Sequence, residues 1–243
     1  MFVDCQQCPL RLVSSFRPLE GAELQSVRRM KIAQDQVLRK TDLITPQLDK
    51  AGVYTIFSGW GFRYVEIRKD SRQILDVLLP GDLVGLQGPM TGKVRHSVRA
   101  LTDMSVCRLD EDAFAELFRR HPDLSEAIVA TLLLEEHRAD MRLMMLGRQR
   151  PTERLGYLLL ELRDRLGRRG TDVSAGFRLP LTYEHFADLL GMSRSQVASS
   201  LTDLRRRGWA LIADGVATLT GGEPMARACQ YEGLGDPARR ALI

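Results

Sequence analysis

Residues 182–207, TYEHFADLLGMSRSQVASSLTDLRRR, indicate two helices joined by a tight turn. Gly191 lies where such a turn needs a positive φ or a missing Cβ. Ala187 allows the two helices to approach closely, and Val197 returns to their shared core. Further apolar residues recur at helical spacing in the same stretch, namely Leu189, Leu190, Leu201 and Leu204. The pattern predicts a helix-turn-helix.

The start of the second helix is marked by its capping residues. Ser193 is a natural N-cap, and Gln196 three residues later completes a capping box. The second helix is therefore expected to begin at Arg194, with an N-terminal turn that faces outward. In a helix-turn-helix that turn reaches base edges in the major groove of DNA. An ordinary two-helix hairpin is the alternative, but the small residues and the caps together favour DNA binding.

The segments around this motif predict a winged helix. Residues 152–167, TERLGYLLLELRDRLG, read as a preceding helix, and residues 177–181, FRLPL, as a short strand. After the motif, Asp214 and Gly215 separate two β-prone runs and predict a hairpin. We assign residues 148–220 to a DNA-binding domain. The tail, residues 221–243, contains Gly, Pro and Arg without clear periodicity, and we expect it to be loosely ordered.

Residues 31–109 have a different character, because short apolar runs alternate with turn residues. Examples are VYTIF at 53–57, FRYVEIRK at 62–69 and QILDVLL at 73–79. Strands this short, with turns this regular, predict a β-sandwich or barrel. The Gly and Pro placement in this range disfavours helix.

Residues 121–147 predict one long helix, because 123–146 contain neither Gly nor Pro. Apolar or small residues occur at alternating spacings of three and four, at Ala127, Thr131, Leu134, Met141 and Met145. This narrow seam favours a coiled-coil-like dimer interface over a single buried helix. Arg138 interrupts the seam. If Asp140 lies near a two-fold axis, it would face its own copy and weaken the dimer; a solvated edge position is the alternative.

Composition narrows the class of protein. In 243 residues, 44% are hydrophobic, which is enough for real cores, and the formal net charge is +4. From 148 to 207 every basic residue is Arg and the basic residues outnumber the acids, which suits contact with phosphates, although a solvated helix surface would look similar. Gly-rich phosphate loops, nucleophile elbows and paired-carboxylate patterns are lacking, so we do not expect an enzyme.

The segment MFVDCQQCPLRL has no apolar core, so we expect no signal peptide, and no apolar run approaches the ~20 residues of a membrane span. Four cysteines in a chain of this length do not form a disulfide scaffold, which indicates a cytoplasmic protein.

Three motifs resemble the Crp/Fnr family of bacterial transcription regulators, and most closely its Fnr branch. They are PGDLVG at 80–85, TERL at 152–155 and LTYEHFADLLGMSRSQVASSL at 181–201. The resemblance implies an α+β fold with a β-roll sensor in residues 1–120, similar to a cyclic-nucleotide-binding double-stranded β-helix. A dimerisation helix at 121–147 and a C-terminal winged helix-turn-helix would follow. It also implies a homodimer on a roughly palindromic operator and, for an activator, contact with RNA polymerase.

The residues expected to contact DNA are Thr182, Arg194, Ser195, Gln196, Ser199, Arg205 and Arg206. The family commonly has Glu at the position of Ser195 and Arg at the position of Ser199. This chain departs at both, so we expect an unusual half-site read mainly by Arg194 with guanine and by Gln196 with adenine. Ser199 could instead allow close approach to the DNA backbone. Arg205, Arg206 and Arg207 suit phosphate contact or the helix dipole better than base reading.

A cyclic nucleotide is one effector that the resemblance suggests. Binding members place a Glu after the Gly of the β-roll turn to hold the ribose, and a downstream Arg followed by Ser or Thr to hold the phosphate. The corresponding effector-pocket residues here are Gly81, Gly85, Leu86, Arg95 and Ser97. Because Leu86 replaces the carboxylate, we expect cyclic nucleotide to be held poorly.

An iron–sulfur cluster is the second candidate. Cys5, Cys8 and Cys107 resemble three of the four ligands of the Fnr branch, and the remaining position falls at Ser14. A [4Fe–4S] cluster normally takes four thiolates. The Cys5–Cys8 pair could alternatively be a redox pair or half of a zinc site, and Cys107 could pack as a small apolar residue.

Overall fold

The computed structural model describes residues 3–47, 52–69 and 71–234. The chain divides into two compact units, and the boundary falls between Leu134 and Glu135. This boundary lies inside one helix, rather than at its ends as the predicted segments 1–120 and 121–147 would have it. The described part of the chain contains no helix that is long and apolar enough to cross a membrane.

The N-terminal unit is built on two antiparallel sheets of four strands each. Its described strands are β1 (Lys31–Val37), β2 (Asp42–Ile44), β3 (Val53–Ser58), β4 (Gly61–Arg68), β5 (Ser71–Leu78), β6 (Leu83–Val84), β7 (Ser97–Ala100) and β8 (Met104–Leu109). One sheet has the order β1-β8-β3-β6 and the other β2-β7-β4-β5. Ile56 and Val106 of the first sheet pack with Ile44 and Val98 of the second in one buried cluster. The predicted β-roll is confirmed.

The N-terminal unit also contains the helices α1 (Gly21–Met30), α2 (Gln87–Thr91) and α3 (Glu111–Arg120). Two 3₁₀ turns, Cys5–Gln7 and Pro9–Leu12, precede α1. The Gly and Pro placement was expected to disfavour helix in residues 31–109, yet α2 forms there. Pro89 lies in the first turn of α2, where a missing N–H breaks no helical hydrogen bond. Gly92 then ends the helix with a φ of +73°.

The long predicted helix is present as α4 (Pro122–Arg148). Of the expected dimer seam, Ala127, Thr131 and Met145 are buried within the chain itself, whereas Leu134 and Met141 are half-buried, so this face is largely covered already. The opposite face of α4 carries the exposed apolar residues Val129, Leu132, Leu133 and Leu143. A 3.6-residue period predicts an apolar stripe, but it does not reveal which element covers that stripe.

The C-terminal unit has the element order of a winged helix. After α4 come α5 (Pro151–Arg168), β9 (Phe177–Arg178), α6 (Tyr183–Leu190), α7 (Arg194–Arg206), β10 (Ala210–Ala213), β11 (Val216–Leu219) and α8 (Gly222–Ala228). The strands form a sheet in the order β10-β11-β9. Asp214 and Gly215 have φ values of +51° and +72°, as a two-residue hairpin turn of type I′ requires. The predicted hairpin is confirmed.

The expectation of a loosely ordered tail is wrong for residues 221–234. Met225 in α8 and Cys229 at the C-terminal end of α8 are both fully buried. The Gln149 side-chain amide donates to the Cys229 carbonyl at 2.7 Å, and the Tyr231 hydroxyl donates to Asp164 at 2.8 Å. Contacts with Gln149 and Asp164, which lie outside the segment, therefore help to hold residues that carry no long apolar period of their own. Residues 235–243 lie outside the described residues.

Candidate DNA-binding surface and sensor sites

The helix-turn-helix is formed by α6 and α7, which pack on a common apolar core. Gly191 ends α6 in the left-handed conformation at φ +59°, where an L side chain would be strained. Phe186, Leu189, Leu190, Val197 and Leu204 are buried beneath the two helices. Leu201, which the sequence placed in this interior, is only half-buried. The core fixes the angle of α7 and leaves its opposite face open to solvent.

Both helices begin with the capping geometry that orphan N–H groups at a helix start require. In α7 the Gln196 backbone N–H donates to Ser193 Oγ at 3.2 Å, and the Ser193 N–H donates to Gln196 Oε1 at 2.9 Å. In α6 the Thr182 hydroxyl accepts from the His185 N–H at 3.3 Å. Thr182 is therefore a helix cap, and this role occupies the side chain that we expected to contact DNA.

Arg194 occupies the first turn of α7 and projects away from the core, with a side chain 70% exposed. Its guanidinium lies 3.3 Å from Glu184 Oε2 of α6, and that carboxylate is also exposed. The ion pair holds the arginine beside the turn without covering it. Because exposed ion pairs contribute little energy, phosphate or a base edge can replace Glu184 at small cost.

The other polar residues of this turn hydrogen-bond locally. Ser195 Oγ lies 2.9 Å from Ser193 Oγ, and the Ser199 hydroxyl donates to the Gln196 carbonyl at 3.1 Å. Bidentate pairing with adenine needs both the oxygen and the amide nitrogen of Gln196, but its oxygen is the capping acceptor. The side chain keeps its amide N–H groups for outward donation. The predicted adenine pairing would therefore require the cap to open.

At the far end of α7, Asp203 organises two of the arginines. Arg206 and Arg207 donate to its two carboxylate oxygens at 2.6 and 2.9 Å, and the hydrogen bond from Arg206 is the main cause that lowers the pKa of Asp203. The Arg207 guanidinium also lies over the Trp209 ring at 4.8 Å. Arg205 is exposed. This arrangement fixes positive charge at the helix end, which suits phosphate contact.

A groove beside α7 combines several predicted DNA-contact residues with residues at the start of α5. It has a volume of about 550 Å³ and is lined by Arg150, Thr152 and Glu153 at the start of α5 and by Gln196, Ser199, Asp203, Arg206 and Arg207, among others. The N-terminus of an 18-residue helix thus opens next to the recognition helix. Helix N-termini favour anions. Pro151 is a sequence signal for this helix start, because proline is favoured at the first position of a helix.

The effector-pocket residues predicted in the β-roll do not converge. Gly81 and Gly85 have φ values of +86° and +90°, and a Cβ on Gly85 would lie 2.0 Å from the Gly52 carbonyl oxygen. Both glycines are therefore turn residues. Leu86 packs against the apolar cluster that contains Phe114 of α3. These three residues do not line the cavity that contains Arg95 and Ser97.

Arg95 and Ser97 do share a cavity, of about 530 Å³, on the sheet that contains β4 and β7. Arg99 there makes a bidentate pair with Asp42 at 2.7 and 2.8 Å. The Tyr64 hydroxyl donates to the same carboxylate at 3.1 Å and is hydrogen-bonded to Ser97. Ser97 is thus part of an internal network, whereas Arg95 is exposed.

The three sensor cysteines meet at one cavity in the N-terminal unit. Cys5, Cys8 and Cys107 all line it, and it encloses about 20 Å³, room for roughly one water molecule. Burial raises the pKa of the Cys107 thiol, while the charge of Lys31 and its hydrogen bond oppose this shift. Arg11 and Lys31 line the same cavity. Ser14 is exposed and is not among the lining residues.

Two family models match this chain, and they fall on its two units. The Cyclic nucleotide-binding domain matches residues 35–121, and the Crp-like helix-turn-helix domain matches residues 153–218. This chain belongs to the Crp/Fnr family. As a member of that family it is a DNA-binding transcription regulator.

Relatives and solved structures agree with this assignment to the Crp/Fnr family. The transcriptional activator protein FnrL of Cereibacter sphaeroides is 28% identical over 208 residues, 84% of this chain and 82% of the relative. The nitrogen fixation regulation protein FixK of Bradyrhizobium diazoefficiens is 27% identical over 221 residues, 88% and 90% of the two chains. The structure of FixK2 from Bradyrhizobium japonicum has the same fold, with a TM-score of 0.72, 21% identity, and coverage of 81% of this chain and 96% of that one.

The [4Fe–4S] cluster suggested by the Fnr branch does not fit the residues of this Crp/Fnr protein. The cysteine cavity has room for about one water molecule, far less than a cluster of eight atoms occupies. Ser14 does not reach it, so only three thiols are present. Within the described ranges, no set of three or more His, Cys, Asp or Glu side chains is arranged to hold a metal ion.

A buried histidine gives the β-roll of this Crp/Fnr protein a measurable acid sensitivity. His96 lines the 530 Å³ cavity and is 8% exposed; burial, and then the nearby charge of Arg63, lower its pKa from 6.5 to about 4. The folded state therefore binds the proton less well than the unfolded chain. The contribution of His96 to the free energy of unfolding is fully present above pH 6.5. It falls by about 3 kcal/mol as the pH drops toward 4.

Chemical denaturation of the wild type and His96→Gln between pH 7 and pH 4 tests this expectation. The wild type should lose about 3 kcal/mol more than the variant across that range. His137→Gln removes an exposed histidine and serves as the matched control. Parallel curves for the wild type and His96→Gln would show that His96 is not the group responsible.

Proposed function

We propose that this protein binds a roughly palindromic operator as a homodimer and inserts the first turn of α7 into the major groove of each half-site. One observation carries the proposal: the turn that begins at Arg194 is capped, exposed and held by a buried core on its other side. That is the geometry in which a recognition helix presents its N-terminal residues to base edges. The wing β10–β11 follows directly in the chain.

The exposed face of α4 supports the homodimer. Four large apolar side chains are open to solvent along this face, Val129 at 48%, Leu132 at 42%, Leu133 at 58% and Leu143 at 71%. Their spacings of three, one and ten residues keep them on one side of the helix, as in a coiled-coil seam. A second copy of the same helix is the partner that would cover such a stripe symmetrically. A two-fold dimer suits a palindromic operator, whose half-sites lie about 34 Å apart on the duplex.

Acidic residues interrupt this stripe. Glu136 and Asp140 are exposed on the same face of α4, between Leu133 and Leu143. In a two-fold dimer each would approach its own copy, and like charges would weaken the association. The apolar residues therefore favour the dimer while the two carboxylates oppose it. A dimer balanced in this way can respond to small changes elsewhere in the protein.

Non-specific affinity would come from phosphate contacts around the recognition helix. The groove at the start of α5 combines Arg150, Thr152, Arg206 and Arg207 next to a helix N-terminus. Neutralising phosphates releases counterions, so binding should weaken steeply as salt rises. Arg206→Ala is a suitable probe, since it should lower affinity similarly for all sequences and reduce the salt dependence by about one ion.

The effector of this regulator is proposed not to be a cyclic nucleotide. Leu86 stands where binding members have the ribose carboxylate, and it packs against an apolar cluster. Ser97 is hydrogen-bonded to Tyr64.

FnrL is named a transcriptional activator, which supports activation as the direction of control. An activator of this kind would need a surface for RNA polymerase. The matched relatives are regulators, so no enzymatic activity is proposed.

Replacing Arg194 by Ala is expected to weaken specific binding by about 10- to 100-fold, because one base-reading guanidinium is lost. The duplexes for this test are selected from a random pool by the wild-type protein. Fluorescence anisotropy at constant salt measures affinity, and reselection with the variant measures preference. The base pair at which the variant loses its preference should lie at the same place in each half-site.

Arg227→Ala is the matched control, because Arg227 is also exposed and ion-paired on a helix, with Glu223. It should leave both affinity and preference unchanged. If Arg194→Ala keeps wild-type affinity and selects the same duplexes, α7 does not read the operator as proposed.

A further inference from the structure

The cavity between Cys5, Cys8 and Cys107 does not fit an iron–sulfur cluster, yet it brings together three of the four cysteines of the chain. Cys5 and Cys8 lie in the N-terminal segment before α1, and Cys107 lies in β8, about a hundred residues later in the sequence. The fourth cysteine, Cys229, is buried near α8. The fold has therefore gathered three sulfur atoms around one cavity.

Positive charge surrounds these sulfur atoms. Lys31 is 8% exposed; its ammonium donates to the Val3 carbonyl at 2.6 Å and is hydrogen-bonded to the Cys107 thiol. Arg11 donates through Nε to the Cys5 carbonyl at 2.8 Å. Its Nη1 is buried and has no hydrogen-bond partner among the described residues. A negative charge in this cavity would be stabilised by both cations, and a thiolate is the anion that the lining residues can supply.

The three cysteines differ in access from outside. Cys5 and Cys107 are buried, while Cys8 is only half-buried at the end of the first 3₁₀ turn. A reagent from solution would thus meet Cys8 first. Because the cavity has room for about one water molecule, only a small oxidant fits beside it.

We propose that this cavity is a thiol oxidation site, in which hydrogen peroxide converts Cys8 and one of its two neighbours into a disulfide. The Cys8 thiolate attacks one peroxide oxygen, the O–O bond breaks, and hydroxide leaves and takes a proton to become water. The resulting sulfenic acid is attacked by the sulfur of Cys5 or Cys107. An S–S bond forms, the S–O bond breaks, and a second water is released. Two thiols and one peroxide thus give one disulfide and two waters.

Such a disulfide would act on the packing of the N-terminal unit. Cys5 belongs to the apolar cluster that includes Val27 of α1, Phe114 of α3 and Leu124 in the first turn of α4. Formation of the disulfide would move the N-terminal segment that contains Cys5 and Cys8. This movement would change the position of Cys5 in the apolar cluster. A regulatory effect on DNA affinity rests on the proposed function, whereas the thiol chemistry does not depend on it.

The test uses the full-length protein, reduced and kept under nitrogen, then treated with hydrogen peroxide. Alkylation in denaturant followed by intact mass measurement counts free thiols, and peptide mapping identifies the disulfide. Free thiols should fall from four to two, with Cys229 always free. Cys8→Ser should slow this loss at least about tenfold, because Cys8 is the most exposed of the three thiols. Cys229→Ala should lose two thiols at the wild-type rate.

Four free thiols after peroxide treatment would overturn the proposal, as would a disulfide that contains Cys229. So would anaerobic reconstitution with iron and sulfide that yields a stoichiometric cluster absorbance lost in Cys5→Ala, or stoichiometric bound zinc. Binding of selected duplexes by the reduced protein is measured in parallel. Failure there counts against the DNA-binding proposal alone, because the thiol count is read from the protein without DNA.

Discussion

Replacing Glu161 by Ala is expected to lower the free energy of unfolding by about 3–5 kcal/mol, because it removes one member of a buried ionic group. Glu161 is buried on α5 and lies 3.1 Å from Arg142 of α4 and 3.3 Å from Arg165. Both arginine side chains are at most 7% exposed. Without the carboxylate, two buried guanidinium groups would face each other. Urea denaturation at pH 7 measures the loss.

The control for this prediction is Glu223→Ala, which removes an exposed partner of Arg227 on α8. Exposed pairs of that kind contribute at most about 1 kcal/mol. Glu161→Gln keeps the shape of the side chain and should fall between the two variants. If Glu161→Ala is no less stable than Glu223→Ala, the buried group is not what holds α5 against the second half of α4.

Leu133→Asp is expected to convert the proposed dimer to a monomer and to weaken operator binding by more than about 100-fold. Leu133 is exposed in the single chain, so the substitution should not affect folding of the monomer. Across a two-fold axis it would add one more pair of like charges to a seam that already contains Glu136 and Asp140. A monomer engages only one half-site, and most of the specific free energy from the second is lost.

Sedimentation equilibrium at micromolar concentration, together with anisotropy on selected duplexes, measures both effects. Leu12→Asp adds the same charge at another exposed apolar residue, in the 3₁₀ turn Pro9–Leu12, and should leave the dimer intact. Asp140→Ala removes a repulsion and should shift the equilibrium toward dimer. A Leu133→Asp protein that sediments as a dimer and binds with wild-type affinity would mean that the exposed face of α4 is not the interface.

Local signals were sufficient where one residue determines one backbone conformation. Gly191 predicted the turn between α6 and α7, Ser193 and Gln196 predicted the cap of α7, and Asp214-Gly215 predicted the hairpin. Each of these depends on contacts within a few residues, so no other part of the chain can change the result. The capping prediction nevertheless conflicted with the adenine pairing expected of Gln196, because one oxygen atom cannot serve both roles in the same conformation.

Signals that depend on distant parts of the chain were weaker. The sequence predicted α4 as one long helix, but three of the five residues assigned to the dimer seam are buried by the same chain, and Leu133 and Leu143 on the opposite face are more exposed. The tail was misread because Met225 and Cys229 gain their burial from distant elements rather than from local periodicity. The effector residues were likewise chosen by motif, and Leu86 packs against an apolar cluster while Arg95 lines a cavity.

By itself the sequence determined a winged helix-turn-helix and a strand-rich N-terminal region, because turns, caps and alternation depend on residues that are close in the chain; the Crp/Fnr assignment came from the resemblance of its motifs. Only the tertiary structure decided which face of α4 is open, that Glu161 joins two buried arginines, and that Cys107 meets Cys5 and Cys8 at a cavity too small for a cluster. Burial and encounter between distant residues depend on how elements pack, and packing is not encoded in any single window of the chain.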